Sequence, residues 1–217
     1  MRGCVLAGIW GAGKTSIFQR VLNRLDHDGC HTLVTMPQAA TITTHTYRVG
    51  NRHDQTAELL RWLDVLTCFL EDLDQRFQAS TLPTHRFAFQ WTPICLLEGV
   101  GFDLPLYELP VDRDQLWSHE QRLADLGVRL VVLRVPTTAI LNQCLVSTRA
   151  YRGTKWGDYL QRFGTDDRER ALCLDRLQRR LLEWAYSSPL PCHIIDSDDK
   201  DWDTHARRVC ELISTPP

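Results

Sequence analysis

Short apolar runs alternate with amphipathic stretches along most of this chain. Cys4-Val5-Leu6-Ala7 is an unbroken apolar run of buried-strand length, and between Ser16 and Leu25 the residues Ile17, Phe18, Val21, Leu22 and Leu25 share one helical face. His31 to Met36 reads as a second strand, stopped by Pro37. From Ala57 to Gln78 a long amphipathic helix carries Leu59, Leu60, Leu63, Leu66, Leu70, Leu73 and Phe77 on one side. A helix starting near Asp112 or Asp114 closes at Asp125-Leu126-Gly127 and leads into Val128 to Val135, the clearest strand pattern of the chain. Helices follow over Thr137 to about Arg149 and Asp166 to Tyr186, then a strand at Cys192 to Asp196 and a helix from Trp202 to Ile213. Strands alternating with helices predict an α/β fold whose parallel sheet is covered on both faces. In such sheets ligands bind beyond the C-terminal strand ends. Functional residues are therefore expected after Ala7, Met36, the third strand, Val135 and Ile195.

The third strand has two candidates. Pro93 to Leu97 ends at Glu98-Gly99, which places a carboxylate at the strand end. Arg86 to Gln90, after the turn Leu82-Pro83-Thr84, leaves Gln90 there instead and makes Thr92 to Val100 a helix. Periodicity does not separate short apolar runs of this kind, but the chemistry differs: Glu98 can accept a proton and Gln90 cannot.

The loop between the first strand and first helix carries the most specific signal. Gly8-Ile9-Trp10-Gly11-Ala12-Gly13-Lys14-Thr15 matches G-x-x-x-x-G-K-[ST] at every specified position, in the strand–loop–helix context that gives the pattern its mechanism. Glycines let the backbone curl so that successive N–H groups converge on phosphate oxygens. The following helix adds its unpaired N–H groups and the positive end of its dipole. Gly8, Gly11, Ala12, Gly13, Lys14, Thr15 and Ser16 are the expected phosphate contacts, with Lys14 reaching the β- and γ-phosphates and the Thr15 hydroxyl offered to Mg²⁺.

Composition narrows the partners. The chain has 217 residues, 43% of them hydrophobic, which suits one domain with a substantial core. A formal net charge of -2 supplies no general attraction for nucleic acid or acidic membranes. No apolar run approaches the roughly 20 residues of a membrane span, and no signal peptide is evident. The eight cysteines are scattered without a C-x-x-C pair, so a reducing, cytoplasmic setting is expected and cysteine metal ligation is not. Lysine occurs only at Lys14, Lys155 and Lys200; the remaining positive charge is arginine, suited to bidentate phosphate contact.

With Leu96-Leu97-Glu98-Gly99, similar to the apolar strand and acidic residue of uridine-kinase-like enzymes, and with Arg149-Ala-Tyr-Arg152-Gly153-Thr-Lys155-Trp156 following the fourth strand and its helix, the chain resembles P-loop kinases of the nucleoside- and nucleotide-kinase type. Thr35 to Thr41 shares a Thr-to-Thr spacing with the thymidylate-kinase substrate loop, without that loop's Arg, Glu and Gly. The Asp-Arg pair expected of thymidylate kinases just after the third strand is not found, and the Asp-Gly-Phe-Pro-Arg run of adenylate kinases is absent. The resemblance implies a three-layer α/β/α P-loop NTPase fold with a five-stranded parallel sheet, in one domain with an acceptor-binding insertion at about 38–80 and a helical lid at about 149–165. It implies ATP and Mg²⁺ as cofactors, a small-molecule acceptor as partner, and a monomer or homodimer. Lys14, Glu98, Arg149 and Arg152 are the expected catalytic residues. Arg149 and Arg152, three apart on a helix, would share a face and arrive together with the nucleotide. Asp196, ending the last strand, would lie near the adenine, and Gln38, Thr41, Arg48 and Arg52 near the acceptor, the two arginines gripping any phosphate it carries.

Two alternatives share the phosphate loop: an antibiotic-modifying kinase, and a regulatory NTPase with a protein partner in place of an acceptor. A guanine-reading Asn-Lys-x-Asp is absent, as is any strand ending in two acidic residues, which argues against GTPases and motor ATPases.

Overall fold

The computed structural model describes residues 1–37, 52–107 and 111–215. Five strands, β1 (Arg2–Gly8), β2 (Leu33–Met36), β3 (Ile94–Glu98), β4 (Val128–Arg134) and β5 (Cys192–Asp196), form one sheet in the order β2-β3-β1-β4-β5, and every pairing is parallel. Cys4 to Ala7, Ile94 to Leu97 and Leu130 to Leu133 are all buried. Continuous apolar runs of this kind are what a sheet covered on both faces requires. The helices that frame the site are α1 (Lys14–His27), α2 (Arg52–Ala79), α3 (Arg113–Asp125), the short pair α4 (Thr148–Arg152) and α5 (Thr154–Leu160), α6 (Asp167–Tyr186) and α7 (Trp202–Ser214). One outer layer is α1 and α7, packed on each other and on β1; α3 and α6 pack on β4 from the other.

The strand order explains where a ligand binds. From β1 the chain crosses over β3 to reach β2, and from β3 it crosses over β1 to reach β4. These two crossovers leave the adjacent strands β1 and β3 in opposite directions, which opens a crevice beyond their C-terminal ends. The register sets Leu6 opposite Glu98, so the loop from Gly8 rises beside the end of β3.

The third strand is Ile94–Glu98, and the alternative at 86–90 is excluded. Ala88–Trp91 is a helical turn, its backbone closed locally by the Gln90 N–H donating to the Phe87 carbonyl and the Thr92 N–H to the Ala88 carbonyl, both bonds that a sheet strand would make to a neighbour. The helix expected from Thr137 to Arg149 is interrupted. Thr137–Ile140 gives way to a wide π turn at Leu141–Ser147 before α4 begins. Asp166 caps α6 by accepting the Glu169 N–H. The cap of α7 is Asp201, which accepts from the Thr204 N–H; Asp203 and Thr204 lie inside that helix.

Candidate active site

The loop after β1 curls through two glycines in the left-handed region, Gly11 at φ 82° and Gly13 at φ 95°. Space is as decisive as conformation at both. A Cβ on Gly11 would stand 2.7 Å from the Cys144 Cα and the Thr148 Oγ1. On Gly13 it would run into the Trp202 ring. The π turn therefore serves the loop: it brings Cys144 against Gly11 and lets the Gln143 side-chain amide donate to the Gly11 carbonyl at 3.3 Å. Wide turns of this kind recur at functional sites. Replacing Gly13 with Ala combines backbone strain with a clash against a stiff indole. We expect Gly13→Ala to destabilise the fold by roughly 1–3 kcal/mol and to weaken nucleotide binding, read by chemical denaturation and by ATP titration.

Lys14 is 5% exposed and donates from Nζ to the carbonyls of Gly8, at 2.7 Å, and Ile9, at 3.3 Å. An ammonium has three donors. Two are spent on orientation, which directs the third toward the hollow of the loop. Thr15, at the start of α1, donates from Oγ1 to Glu98 Oε1 at 3.3 Å. Glu98 is 2% exposed at the end of β3, and Val100, two residues on, has φ 36°. Positive φ at a β-branched residue is strained backbone, of a kind that clusters at functional sites.

These groups open on a cleft of about 510 Å³ lined by Lys14, Thr15, Ser16, Glu98, Thr148 and Arg152, among others. Gly11 and Gly13 also line it, whereas Gly8 and Ala12 shape the loop from beneath: Gly8 accepts from Lys14, and the Ala12 N–H donates to the Ile9 carbonyl at 3.2 Å. Mg²⁺ favours oxygen ligands and retains several waters. A hydroxyl and a carboxylate 3.3 Å apart beside the phosphate loop fit such an ion, which Thr15 and Glu98 would hold. Among the described residues no cluster of three His, Cys, Asp or Glu side chains would hold a metal on protein ligands alone.

The structure does not bring Arg149 and Arg152 together. Arg152 lines the cleft and lies over the Trp156 ring, 4.7 Å from its centroid. Arg149 faces a separate recess beside Gly153 and Gly157, where its guanidinium grips Asp167 in a forked pair at 2.6 and 3.2 Å. That carboxyl is held below the usual carboxylate range by Arg149 and Arg170. Helical spacing gave the two arginines neighbouring directions, but the start of α6 captured one of them. Arg152→Ala should accordingly lower kcat more than it weakens ATP binding, while Arg149→Ala should leave kcat within a few fold and reduce lid stability. Steady-state kinetics beside an ATP titration compares the two variants.

Asp196 is likewise committed elsewhere. It forms a forked ion pair with Arg134 at 2.5 and 2.7 Å, and is not among the residues lining the cleft. From the segment after β5 it is Lys200 and Trp202 that line the cleft, with Lys200 donating to the Ser147 hydroxyl at 3.1 Å. Gln38, Thr41 and Arg48 lie outside the described residues, as does the side chain of Arg52, the first residue of α2.

Sequence reading passed over Trp10, a variable position of the phosphate-binding pattern. Its ring meets Tyr107 edge-on at 5.7 Å and Phe163 at 5.0 Å, and Tyr159 stacks on Trp156 at 5.0 Å. Tyr159 and Phe163 thus pack on the phosphate loop through Trp10. The one available signal was the concentration of large rings at both places; nothing local shows that they meet.

The sequence matches no protein-family model and no curated protein. Among solved structures it is similar to the YorR protein of Bacillus subtilis in complex with phosphorylated GDP, over 97% of this chain and 95% of that one, with a TM-score of 0.59 and 12% identity. Shikimate kinase from Bacteroides thetaiotaomicron aligns over 99% of both chains at a TM-score of 0.48 and 12% identity. Deoxyadenosine kinase from M. mycoides with bound dATP aligns over 98% of this chain and 100% of its own at 0.44 and 14%. The chain shares the α/β fold of the YorR structure, with its phosphate-binding pattern following the first strand of a five-stranded parallel sheet.

Proposed function

We propose that this protein is an ATP- and Mg²⁺-dependent kinase that phosphorylates a small-molecule acceptor, a nucleoside, nucleotide or related metabolite, in the cytoplasm. The observation that carries the reading is the meeting of Lys14, Thr15 and Glu98 at the crevice between β1 and β3, with Arg152 facing them from the lid. A phosphate cradle alone would also suit a regulatory NTPase. A nearly buried carboxylate beside the Thr15 hydroxyl, roofed by an arginine, suits transfer to an acceptor.

The chemistry follows from these positions. The acceptor oxygen forms a bond to the γ-phosphorus, the bond from that phosphorus to the bridging oxygen breaks, and ADP leaves with the electron pair. Glu98 Oε takes the proton of the acceptor hydroxyl. The charge on the migrating group spreads over its equatorial oxygens, where the third donor of Lys14, the loop N–H groups and the Arg152 guanidinium stabilise it. The Thr15 hydroxyl would hold a bound Mg²⁺, which would supply neutralising charge to the phosphates. The rings packed around Trp10 keep water out, so transfer to the acceptor outruns hydrolysis.

The test is ADP release from ATP across a panel of nucleosides, nucleotides and other small alcohols. Acceptor-dependent release is the expected result. Turnover that ignores every acceptor and responds instead to a protein partner would replace the kinase with a regulatory NTPase.

A further inference from the structure

The foot of the sheet, at the opposite strand ends from the cleft, carries rings that the core does not use. β1 starts at Arg2, β2 at Leu33 and β3 at Ile94, so His31 and the turn Ala88–Trp91 stand at these N-terminal ends, away from Lys14 and Glu98. There Phe87, Phe89 and Trp91 remain 44%, 46% and 39% exposed. Each ring has a basic neighbour. The Arg86 guanidinium lies over Phe87, 4.6 Å from its centroid, and Arg2 lies over Phe89 at 4.8 Å. His31 meets Trp91 at 5.1 Å, and His85 meets Phe87 at 5.7 Å.

The charge at this face is one-sided. No Asp or Glu occurs between Asp74 and Glu98. Asp28, in the turn after α1, stands by His27 at 3.4 Å. Among the described residues neither Arg2 nor Arg86 has a carboxylate partner. Arg2 donates only to the Phe89 carbonyl, at 3.4 Å, and its Nε is buried without a hydrogen-bond partner. A partly buried guanidinium that lacks a counter-charge is unfavourable, and a carboxylate brought by a partner supplies one. Both arginines are laid on rings, which holds the planar fork ready for such a group.

The rings discriminate among anionic partners. Single-stranded nucleic acid binds by stacking bases on open ring faces. Here a guanidinium takes a face of Phe87 and of Phe89, and Trp91 tilts against His31. A second copy of the same face would set arginine against arginine. Aliphatic side chains need no open face and fit between the rings. We propose that this face docks an acidic segment of another protein, in which carboxylates alternate with aliphatic side chains. The carboxylates take Arg2 and Arg86, and the aliphatic groups cover Phe87, Phe89 and Trp91.

Fluorescence anisotropy with a labelled peptide of alternating glutamate and leucine tests this. No ATP is present, so the outcome is independent of phosphoryl transfer. The peptide should bind saturably and more tightly at low salt. Arg86→Glu and Phe89→Ser should each weaken it about tenfold, with circular dichroism spectra and melting temperatures like those of the wild type. Absence of binding, equal binding of the corresponding lysine–leucine peptide, tighter binding of an oligothymidylate strand, or a complex indifferent to Arg86→Glu would each overturn the proposal.

Discussion

Lys14→Ala is expected to reduce acceptor-dependent ADP formation by about 10²–10³-fold, the scale for removing one preorganised donor from developing charge. The structure makes this a loss of positioned charge. The ammonium is fixed by the Gly8 and Ile9 carbonyls inside the loop, and alanine leaves both carbonyls without that donor. Lys14→Arg should fail almost as badly. A planar fork cannot occupy a site shaped around a compact ammonium that is 5% exposed. Steady-state kinetics with ATP titration reads both variants. Wild-type turnover in Lys14→Ala would remove the phosphate loop from the reaction.

Glu98→Gln should lower kcat by about 10²–10⁴-fold, the usual contribution of a positioned proton acceptor. The substitution keeps shape and still accepts the hydrogen bond from the Thr15 hydroxyl, so thermal stability and ATP affinity should hold nearly constant. That split is diagnostic. A residue that merely supports the strand end would lose stability before rate, whereas one that takes the acceptor proton loses rate alone. An unchanged kcat in a folded Glu98→Gln protein would move the base elsewhere.

Most of the scaffold was legible before folding, for local reasons. Strand β5 has the expected bounds, Cys192–Asp196, because an apolar run between the prolines at 189 and 191 and the polar turn from Ser197 has few other fates. β4 stops at Arg134, one residue before Val135 and two before Pro136, as a proline boundary demands. The π turn was invisible, since Leu141 to Ser147 keeps a helical pattern while its widening answers to a neighbour, the Gly11 backbone, that lies far off in sequence. For the same reason Arg149 was grouped with Arg152: Asp167, eighteen residues on, decides its direction, and helical spacing carries no record of that partner.

The chain alone determined the phosphate-binding pattern and where it lies, because a loop of converging backbone N–H groups needs only glycines at set spacings and a helix that follows. It also determined a parallel sheet, since that depends on the alternation of elements. Tertiary structure decided which carboxylate joins the cradle. Glu98 and Asp196 both end strands, but the crossing connections open the crevice between β1 and β3, while Arg134 on β4 takes up Asp196. It also decided that Trp10 packs against Tyr159 and Phe163 and that Val65 and Phe69 face outward. Such choices depend on which distant surfaces come within a few ångströms of each other, and that is set only when the layers pack.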